Sequence, residues 1–236
     1  MEMRVLIFSD LHANWEALLA MQAAERKPDA ILFLGDASDF GPDPLLSVRW
    51  LRKNVHYGVR GNHDNALVTG MDCACGEEYL DLSIATREYS TRLLGSSEKA
   101  YLAALPLEAR VELGGARFYL THASPKDHLF KYLNVATARE EELREEMAGI
   151  EADVIFLGHT HIPAIRKVKD TYLVNPGSLG QPRHGTPSAT YALWEDGELA
   201  IRHVDYNWAE TQRKVALLPL EPDQIQRLQD ILERGL

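Results

Sequence analysis

Five short apolar runs, each followed closely by Asp, Asn or His, constrain the fold of this 236-residue chain more than any other feature. The runs cover residues 3–9, 30–34, 55–59, 117–121 and 153–157. Short runs rich in Val, Ile, Leu or Phe are typical of strands covered on both faces of a sheet. The polar groups after the five runs are Asp10 and His12, then Asp36, then Asn62, His63 and Asp64, then His122, then His159 and His161.

These polar groups are expected to meet at one place. In open α/β sheets, ligands bind at the carboxyl ends of the strands, so side chains at neighbouring strand exits project into a common crevice. Taken singly, each fragment has an ordinary explanation as a turn or a helix cap. Five of the nine histidines lie at four of the five exits, however, and chance would have to act five separate times to produce this set.

Helical patterns separate the first strands, which predicts parallel βαβ units. The helices are expected at residues 15–26, 44–53 and 138–147, with Asn14 as the cap of the first. The second half reads as strands 164–168, 171–174, 190–195 and 199–204, and Asp196-Gly197 is a hairpin turn signal. No repeat or linker divides the chain. We therefore predict a single domain over residues 1–236 of mixed α/β (α+β) class, a two-sheet β-sandwich of mixed strands flanked by helices.

Composition narrows the class of ligand. Hydrophobic residues make up 45% of the chain, enough for a sizeable core, and the formal net charge is −10. An acidic surface repels polyanions, so general nucleic-acid binding is not expected. Binding of a small anion at a local cationic centre is still expected. There is no signal-peptide pattern and no apolar stretch of membrane-spanning length, so we expect a soluble cytoplasmic protein with no membrane contact.

The donor types point to metal ions. Carboxylate, amide and imidazole groups without thiolates suit Mn, Fe, Zn, Ni or Co better than a structural zinc site built from cysteines. Seven donors are too many for one ion. Two divalent ions ~3.5–4 Å apart with one shared carboxylate would use them all, an arrangement that acts on phosphate esters. The seven expected ligands are Asp10, His12, Asp36, Asn62, His122, His159 and His161.

The order and spacing of these motifs, from residue 4 to about residue 183, resemble those of the calcineurin-like metallophosphoesterases, and most closely their small bacterial and archaeal phosphodiesterase branch. The resemblance implies a two-sheet sandwich and two divalent metals, with Mn as the first expectation. It implies one metal on Asp10, His12, Asp36 and His161, and the other on Asp36, Asn62, His122 and His159. Many members have Gly where this chain has Ala13, a difference that removes no ligand.

The expected reaction is in-line attack of a metal-bridging hydroxide on a phosphodiester or phosphomonoester. The resemblance places His63 beside the leaving group, and Asp64 or Asp39 would orient it, although Asp39 is equally explained as a turn acceptor. Asn62, Ser178 and Arg183 are expected to contact the substrate, the last two from a glycine-punctuated loop that is otherwise a plain connector. The alternatives are a nucleotide pyrophosphatase or dinucleoside polyphosphate hydrolase, and a non-catalytic interaction scaffold of the same fold.

Two segments of the sequence allow more than one interpretation. Residues 66–94 follow directly on the GNHD motif and are a possible lid or insertion; Cys73 and Cys75 within them are ordinary small side chains or have a metal or redox role. Residues 221–236 form a helix with one apolar face. This face is expected to pack on the protein's own sheet or, alternatively, to form a homodimer contact.

Overall fold

Two mixed five-stranded sheets face each other in the computed structural model, which describes residues 3–235. In spatial order, the first sheet contains β10 (Glu198–Val204), β9 (Ala189–Glu195), β1 (Arg4–Phe8), β2 (Ala30–Phe33) and β3 (Tyr57–Gly58). The second contains β4 (Glu108–Leu113), β5 (Ala116–Thr121), β6 (Val154–Phe156), β8 (Thr171–Asn175) and β7 (Ala164–Val168). This is the two-sheet sandwich with mixed strands that the sequence predicts.

Helices cover the outer faces and one end of the sandwich. They are α1 (Trp15–Ala24), α2 (Pro44–Asn54), α3 (Asn62–Thr69), α4 (Glu77–Leu93), α5 (Ser96–Ala104), α6 (Glu140–Glu146), α7 (Trp208–Val215) and α8 (Pro222–Arg234). No helix within residues 3–235 is both long and apolar enough to cross a membrane.

Strand β1 shows how an apolar run produces a strand buried on both faces. Because side chains alternate along a strand, Val5 and Ile7 enter the layer between the sheets, whereas Leu6 and Phe8 enter the layer under α1 and α2. β1 pairs in parallel with β2, and β2 with β3, through the two helical crossovers. The predicted βαβ units are therefore confirmed, and the carboxyl ends of all three strands lie at one edge.

The second sheet supplies the opposite wall of the inter-sheet core. Phe118 and Leu120 of β5 and Phe156 of β6 are buried there. The Phe118 ring lies 5.5 Å from the Phe156 ring and 5.3 Å from the Trp194 ring, both edge-on. Strands β5 and β6 are parallel neighbours, so their carboxyl ends also share an edge.

Local signals agree with the structure at several points. Asn14 caps α1 by accepting from the backbone of Ala17, as predicted. Asp196 and Gly197 form the two-residue turn between β9 and β10, both with positive φ, which suits the twist of a hairpin. The third strand is shorter than predicted, with two residues in place of five, and the sequence did not indicate β4, whose alternating charged residues mask its pairing with β5.

The C-terminal helix α8 packs against its own chain, but not on the sheet. Its Leu228 and Leu232 join a cluster with Phe40 and with Leu82 of α4. Arg227 forms a bidentate ion pair with Asp81, also on α4. The apolar face predicted for residues 221–236 is thus covered by neighbouring helices; residue 236 lies outside the described residues.

Candidate metal centre

The sandwich brings the five strand exits together at one edge. The exits of β1, β2 and β3 carry Asp10, Asp36 and Asn62, and those of β5 and β6 carry His122 and the pair His159 and His161. Every one of the seven predicted ligands is buried, with no more than 3% of its surface exposed. Seven buried polar side chains in one place need partners, because burying an unpaired polar group is costly.

Carboxylate and imidazole atoms form interlocking groups within this edge. Ligand atoms lie within 4.8 Å of one another in three such sets: Asp10, His12 and His161; Asp10, Asp36 and His122; and His12, Asp36 and His63. Asp10, His12 and Asp36 each belong to two of the sets, so these three residues connect the groups. His159 belongs to none of them; its ring lies 5.1 Å from that of His122.

The His12 and His161 rings are arranged in a way that is consistent with a cation site. The Nδ1 of His12 donates to the carbonyl of Ser38 at 3.0 Å, and the Nδ1 of His161 donates to the carbonyl of Gln181 at 2.6 Å. Burial first of all lowers the pKa of both imidazoles, so both are neutral at pH 7 and each Nε2 carries a lone pair. These two Nε2 atoms face each other at 3.3 Å. Facing lone pairs repel unless a cation lies between them.

The Asp10 carboxylate beside these rings also has an acceptor atom without a hydrogen-bond donor. Asp10 Oδ1 is buried without a hydrogen-bond donor and lies 3.2 Å from His161 Nε2. Three hydrogen-bond acceptors, from Asp10, His12 and His161, therefore face one another without a donor. A divalent transition metal is usually bound by carboxylate oxygens and by imidazoles. The second ring nitrogen of each imidazole is typically held by a carbonyl.

The second group centres on His122. Its Nδ1 donates to the carbonyl of Leu34 at 2.7 Å, and its Nε2 lies 2.9 Å from Asn62 Oδ1 and 3.3 Å from Asp36 Oδ2. Burial opposes protonation of this ring, but the charge of Asp36 outweighs it and raises the pKa of His122 to about 9. A proton on Nε2 therefore satisfies these oxygens in the absence of a metal, and a bound cation would replace that proton.

His159 lies beside His122. Its backbone N–H donates to Asp10 Oδ2 at 3.1 Å, and its Nε2 donates to the carbonyl of Phe130 at 3.3 Å, which leaves Nδ1 available. Burial, followed by the charge of His122, lowers the pKa of His159 to about 3. The sequence did not indicate Tyr132, whose half-exposed ring stacks on His159 at 4.0 Å between centroids.

The backbone at the site is strained. Positive φ angles occur at five of the seven predicted ligands: Asp10, His12, Asp36, His159 and His161. A non-glycine residue in this conformation costs roughly 1–2 kcal/mol. Ala13, where the resemblance predicted Gly, also has a positive φ of 52°. Strain of this kind persists only where surrounding structure enforces it, and it is typical of functional sites.

Close backbone approach further restricts the site. A Cβ on Gly61 would lie 2.0 Å from Asp36 Oδ1, and a Cβ on Gly158 would lie 2.7 Å from Asp10 Oδ2. Both glycines thus allow a neighbouring loop to lie against a carboxylate of the centre. Steric contact with these carboxylates therefore explains why the Gly-Asn-His-Asp and Gly-His-x-His motifs begin with glycine.

His63 contacts Asp39 and not Asp64. The Nδ1 of His63 donates to Asp39 Oδ2 at 2.9 Å, and the hydroxyl of Ser83 lies 3.3 Å from the same nitrogen. Burial opposes the charged imidazole, but Asp36 and the bond to Asp39 raise the pKa of His63 to about 9. Of the two carboxylates that the sequence offered as orienting partners, the structure brings Asp39 to the ring.

Asp64 has a different position. Its carboxylate accepts from the backbone N–H groups of Asp36, Ala37 and Gly61 at 2.8, 2.9 and 3.2 Å. It therefore joins the loop carrying Asp36 to the start of α3. Burial and the nearby Asp36 raise the pKa of Asp64 to about 7.

The two predicted substrate contacts of the glycine-punctuated loop differ. The hydroxyl of Ser178 is buried, donates to the carbonyl of Asp10 at 2.8 Å and accepts from the backbone of Gln181 at 2.7 Å. Arg183 lies over the ring of Tyr79 at 4.2 Å and donates to Gln181 Oε1 at 3.1 Å. The hydroxyl thus holds the loop against β1, whereas the guanidinium extends along the wall of the site.

Comparison with known proteins agrees with this geometry. The sequence profile of the "Calcineurin-like phosphoesterase superfamily domain" matches residues 3–196. An uncharacterized protein of Methanocaldococcus jannaschii is 26% identical over 231 residues, covering 89% of this chain and 91% of its own. A protein of Mycoplasma genitalium named "Probable metallophosphoesterase" is 32% identical over 193 residues, covering 81% and 86% respectively.

A solved structure extends the similarity to the whole chain. The crystal structure of a metallophosphoesterase from Sphaerobacter thermophilus superimposes with a TM-score of 0.82 at 27% identity, covering 100% of both chains. Profile, relatives and fold all point to the same group of proteins, and the buried His and Asp clusters fit the metal site that its name implies. The chain therefore belongs to the calcineurin-like phosphoesterase superfamily, in its branch of small phosphoesterases.

Proposed function

We propose that this protein is a dinuclear metal-dependent hydrolase of phosphodiesters, with two divalent ions, manganese being our first choice. The observation that carries the proposal is the buried group of acceptor atoms facing one another, the Nε2 atoms of His12 and His161 beside the unpartnered Oδ1 of Asp10. In the absence of a cation, this arrangement is repulsive.

The seven side chains divide into two sets around Asp36. Asp10, His12, Asp36 and His161 would hold one ion, and Asp36, Asn62, His122 and His159 the other. Such ions supply an activated water for in-line attack on phosphorus and positive charge for the phosphate oxygens. Asp36 is ionised, since the charges of His122 and His63 outweigh burial and hold its pKa well below the usual range.

His63 would act on the leaving group. Its Nδ1 is held by Asp39, which orients the ring and leaves Nε2 as the atom that gives a proton to the departing oxygen. Arg183 extends from the neighbouring loop and would contact a non-bridging oxygen. Asp64 supports the loop that carries Asp36, and Ser178 supports the loop that carries Arg183.

Charge favours an anionic phosphate ester over an uncharged ester. Two divalent ions with the carboxylates of Asp10 and Asp36 leave a net charge of about +2. A phosphodiester has one negative charge, whereas a monoester has about −1.5 to −2 at neutral pH. Arg183 would add a further positive charge, so charge attracts either ester. The diester is our first choice because the motifs resemble those of the phosphodiesterase branch. The net charge of −10 on the whole chain favours a small substrate over a nucleic-acid polymer.

The proposal is tested with bis(p-nitrophenyl) phosphate and added manganese, with p-nitrophenyl phosphate as the monoester. We expect the diester to be hydrolysed faster than the monoester. Asp36→Asn should abolish both metal binding and hydrolysis, because it removes the shared carboxylate while keeping the shape of the side chain. Asp170→Asn, an exposed acid in the turn before β8, is the matched control and should leave both unchanged.

Two results would contradict the proposal. Hydrolysis that persists in Asp36→Asn at the wild-type rate would remove the metal centre from the reaction. Manganese binding without hydrolysis of the diester, the monoester or a dinucleoside polyphosphate would indicate the non-catalytic scaffold of the same fold.

A further inference from the structure

The loop between α3 and α4 carries the two cysteines of the sequence, Cys73 and Cys75, directly beside the metal centre. Their sulfurs are in contact, 2.7 Å apart. Cys73 is fully buried, whereas Cys75 is partly exposed. One sulfur is therefore accessible to a reagent from solvent, and the other lies behind it within reach of a bond.

The backbone between the cysteines holds this contact under strain. Ala74 has a φ of +52°, and its N–H donates to Asp72 Oδ1 at 3.0 Å. The left-handed conformation costs an alanine roughly 1–2 kcal/mol. A bond between the two sulfurs would add a covalent link across this turn.

The same loop holds a residue of the metal centre. The carbonyl of Cys73 accepts from Asn62 Nδ2 at 2.8 Å, and this bond turns Asn62 Oδ1 toward His122 Nε2. The sulfur of Cys73 also lies 3.3 Å from the hydroxyl of Ser83, which contacts His63. The conformation of the cysteine loop thus determines how Asn62 faces the site.

We propose that Cys73 and Cys75 are a reversible disulfide modification site, and that the disulfide tightens metal binding by holding the Cys73 carbonyl on Asn62. The part concerning metal affinity rests on the proposed function; disulfide formation does not. Outer groups that orient a metal ligand typically change metal affinity 10–100-fold, so a loop effect transmitted through one hydrogen bond belongs at the lower end of this range.

The oxidant is a small organic disulfide. Cys75, whose thiol proton passes to the adjacent sulfur of Cys73, attacks one sulfur of this reagent, a mixed disulfide forms, and the first thiolate leaves. Cys73, losing its proton, then attacks the sulfur of Cys75 and expels the second thiolate. The protein gives up two protons and two electrons, and the reagent is reduced to two thiols. An uncharged reagent is preferred because Asp72, Glu77 and Glu78 surround the loop with negative charge.

The modification is tested on the full chain in buffers of 2-mercaptoethanol and bis(2-hydroxyethyl) disulfide, followed by alkylation with a maleimide and mass measurement. We expect two adducts in the reduced protein and none in the oxidised monomer, with recovery of both on reduction. Cys75→Ser should give a mixed disulfide or one adduct. Alkylatable thiols that persist at every buffer ratio, or disulfide-linked dimers alone, would overturn the proposal.

The link to the metal is tested by titrating manganese into the oxidised and reduced forms in a calorimeter. We expect the Kd to be about tenfold lower in the oxidised form. The same oxidising treatment of Cys75→Ser and of Cys73→Ser should leave the Kd within twofold of their untreated values. Equal Kd values for oxidised and reduced wild type would overturn the link. Since neither readout uses hydrolysis, these failures are distinguishable from a failure of the proposed activity.

Discussion

The inter-sheet core and the loops at the strand exits are built from the same strands and follow opposite rules. In the core, Ile7 and Phe118 lie in regular extended backbone with apolar neighbours. Three residues beyond Ile7, Asp10 is equally buried but has a φ of +53° and a carboxylate oxygen without a donor. The core contributes free energy of folding, and the exit loops consume part of it to hold polar atoms in an unfavourable arrangement.

The difference between core and exit loops predicts which property a substitution in each region should alter. Truncation of a core side chain should alter global stability and leave the donor atoms in place. A change in the exit loops should alter metal affinity or reactivity with a smaller effect on the free energy of unfolding. Four measurements test this contrast.

The largest effect is expected from Phe118→Ala. Loss of a fully buried aromatic ring that contacts Phe156 and Trp194 should lower the free energy of unfolding by about 3–5 kcal/mol, measured by urea denaturation. Tyr57→Ala, at a ring that is 43% exposed, is the control and should cost less than about 1 kcal/mol. If folded Phe118→Ala bound less manganese per chain than the wild type, the core and the exit loops would not be independent in this way.

Saturation with metal comes next. Manganese at one hundred times its Kd should raise the free energy of unfolding by about 2.7 kcal/mol for each ion bound, since it binds the folded chain only. Phe118→Ala should show the same increment, because its donor atoms are unchanged. Asp36→Asn should show none. An equal increment in Asp36→Asn would mean that the stabilising ion binds elsewhere.

Gly61→Ala tests the close approach of two loops. Its new Cβ would meet Asp36 Oδ1, so we expect manganese affinity to fall about 10–100-fold in calorimetric titration. Gly95→Ala is a matched control, because both glycines precede a helix with φ near −80°, and at Gly95 the new Cβ meets only the end of the Glu98 side chain. Unchanged affinity in Gly61→Ala would show that the Asp36 loop moves freely.

The smallest effect is expected from Asp39→Asn, which leaves all seven predicted ligands intact. If Asp39 positions His63 for proton transfer, kcat should fall about tenfold for a diester with an alkyl leaving group, which needs a proton. The p-nitrophenyl diester, whose leaving group departs without one, should be hydrolysed at close to the wild-type rate, with KM unchanged for both. An equal loss on both substrates would indicate a general structural role.

Much of the fold could be predicted because its signals are local. The apolar runs before Asp10, Asp36 and His122 are strands, and the Asp196-Gly197 turn has the positive φ angles that its residues favour. The convergence of the predicted ligands followed from topology, since parallel neighbours end at one edge of a sheet. The weak points were β3 and β4, whose pairing depends on partners distant in the chain.

By itself, the sequence determined the strands, the alternation of strand and helix, and the polar residue types at each exit, because these depend on hydrophobic periodicity and on neighbouring residues. Only the tertiary structure decided which carboxylate faces His63, that Ser178 is used within its loop, that α8 covers α4, and that the Cys73 carbonyl holds Asn62. Each of these contacts joins segments through side-chain directions and loop conformations, and no local pattern of residues specifies them.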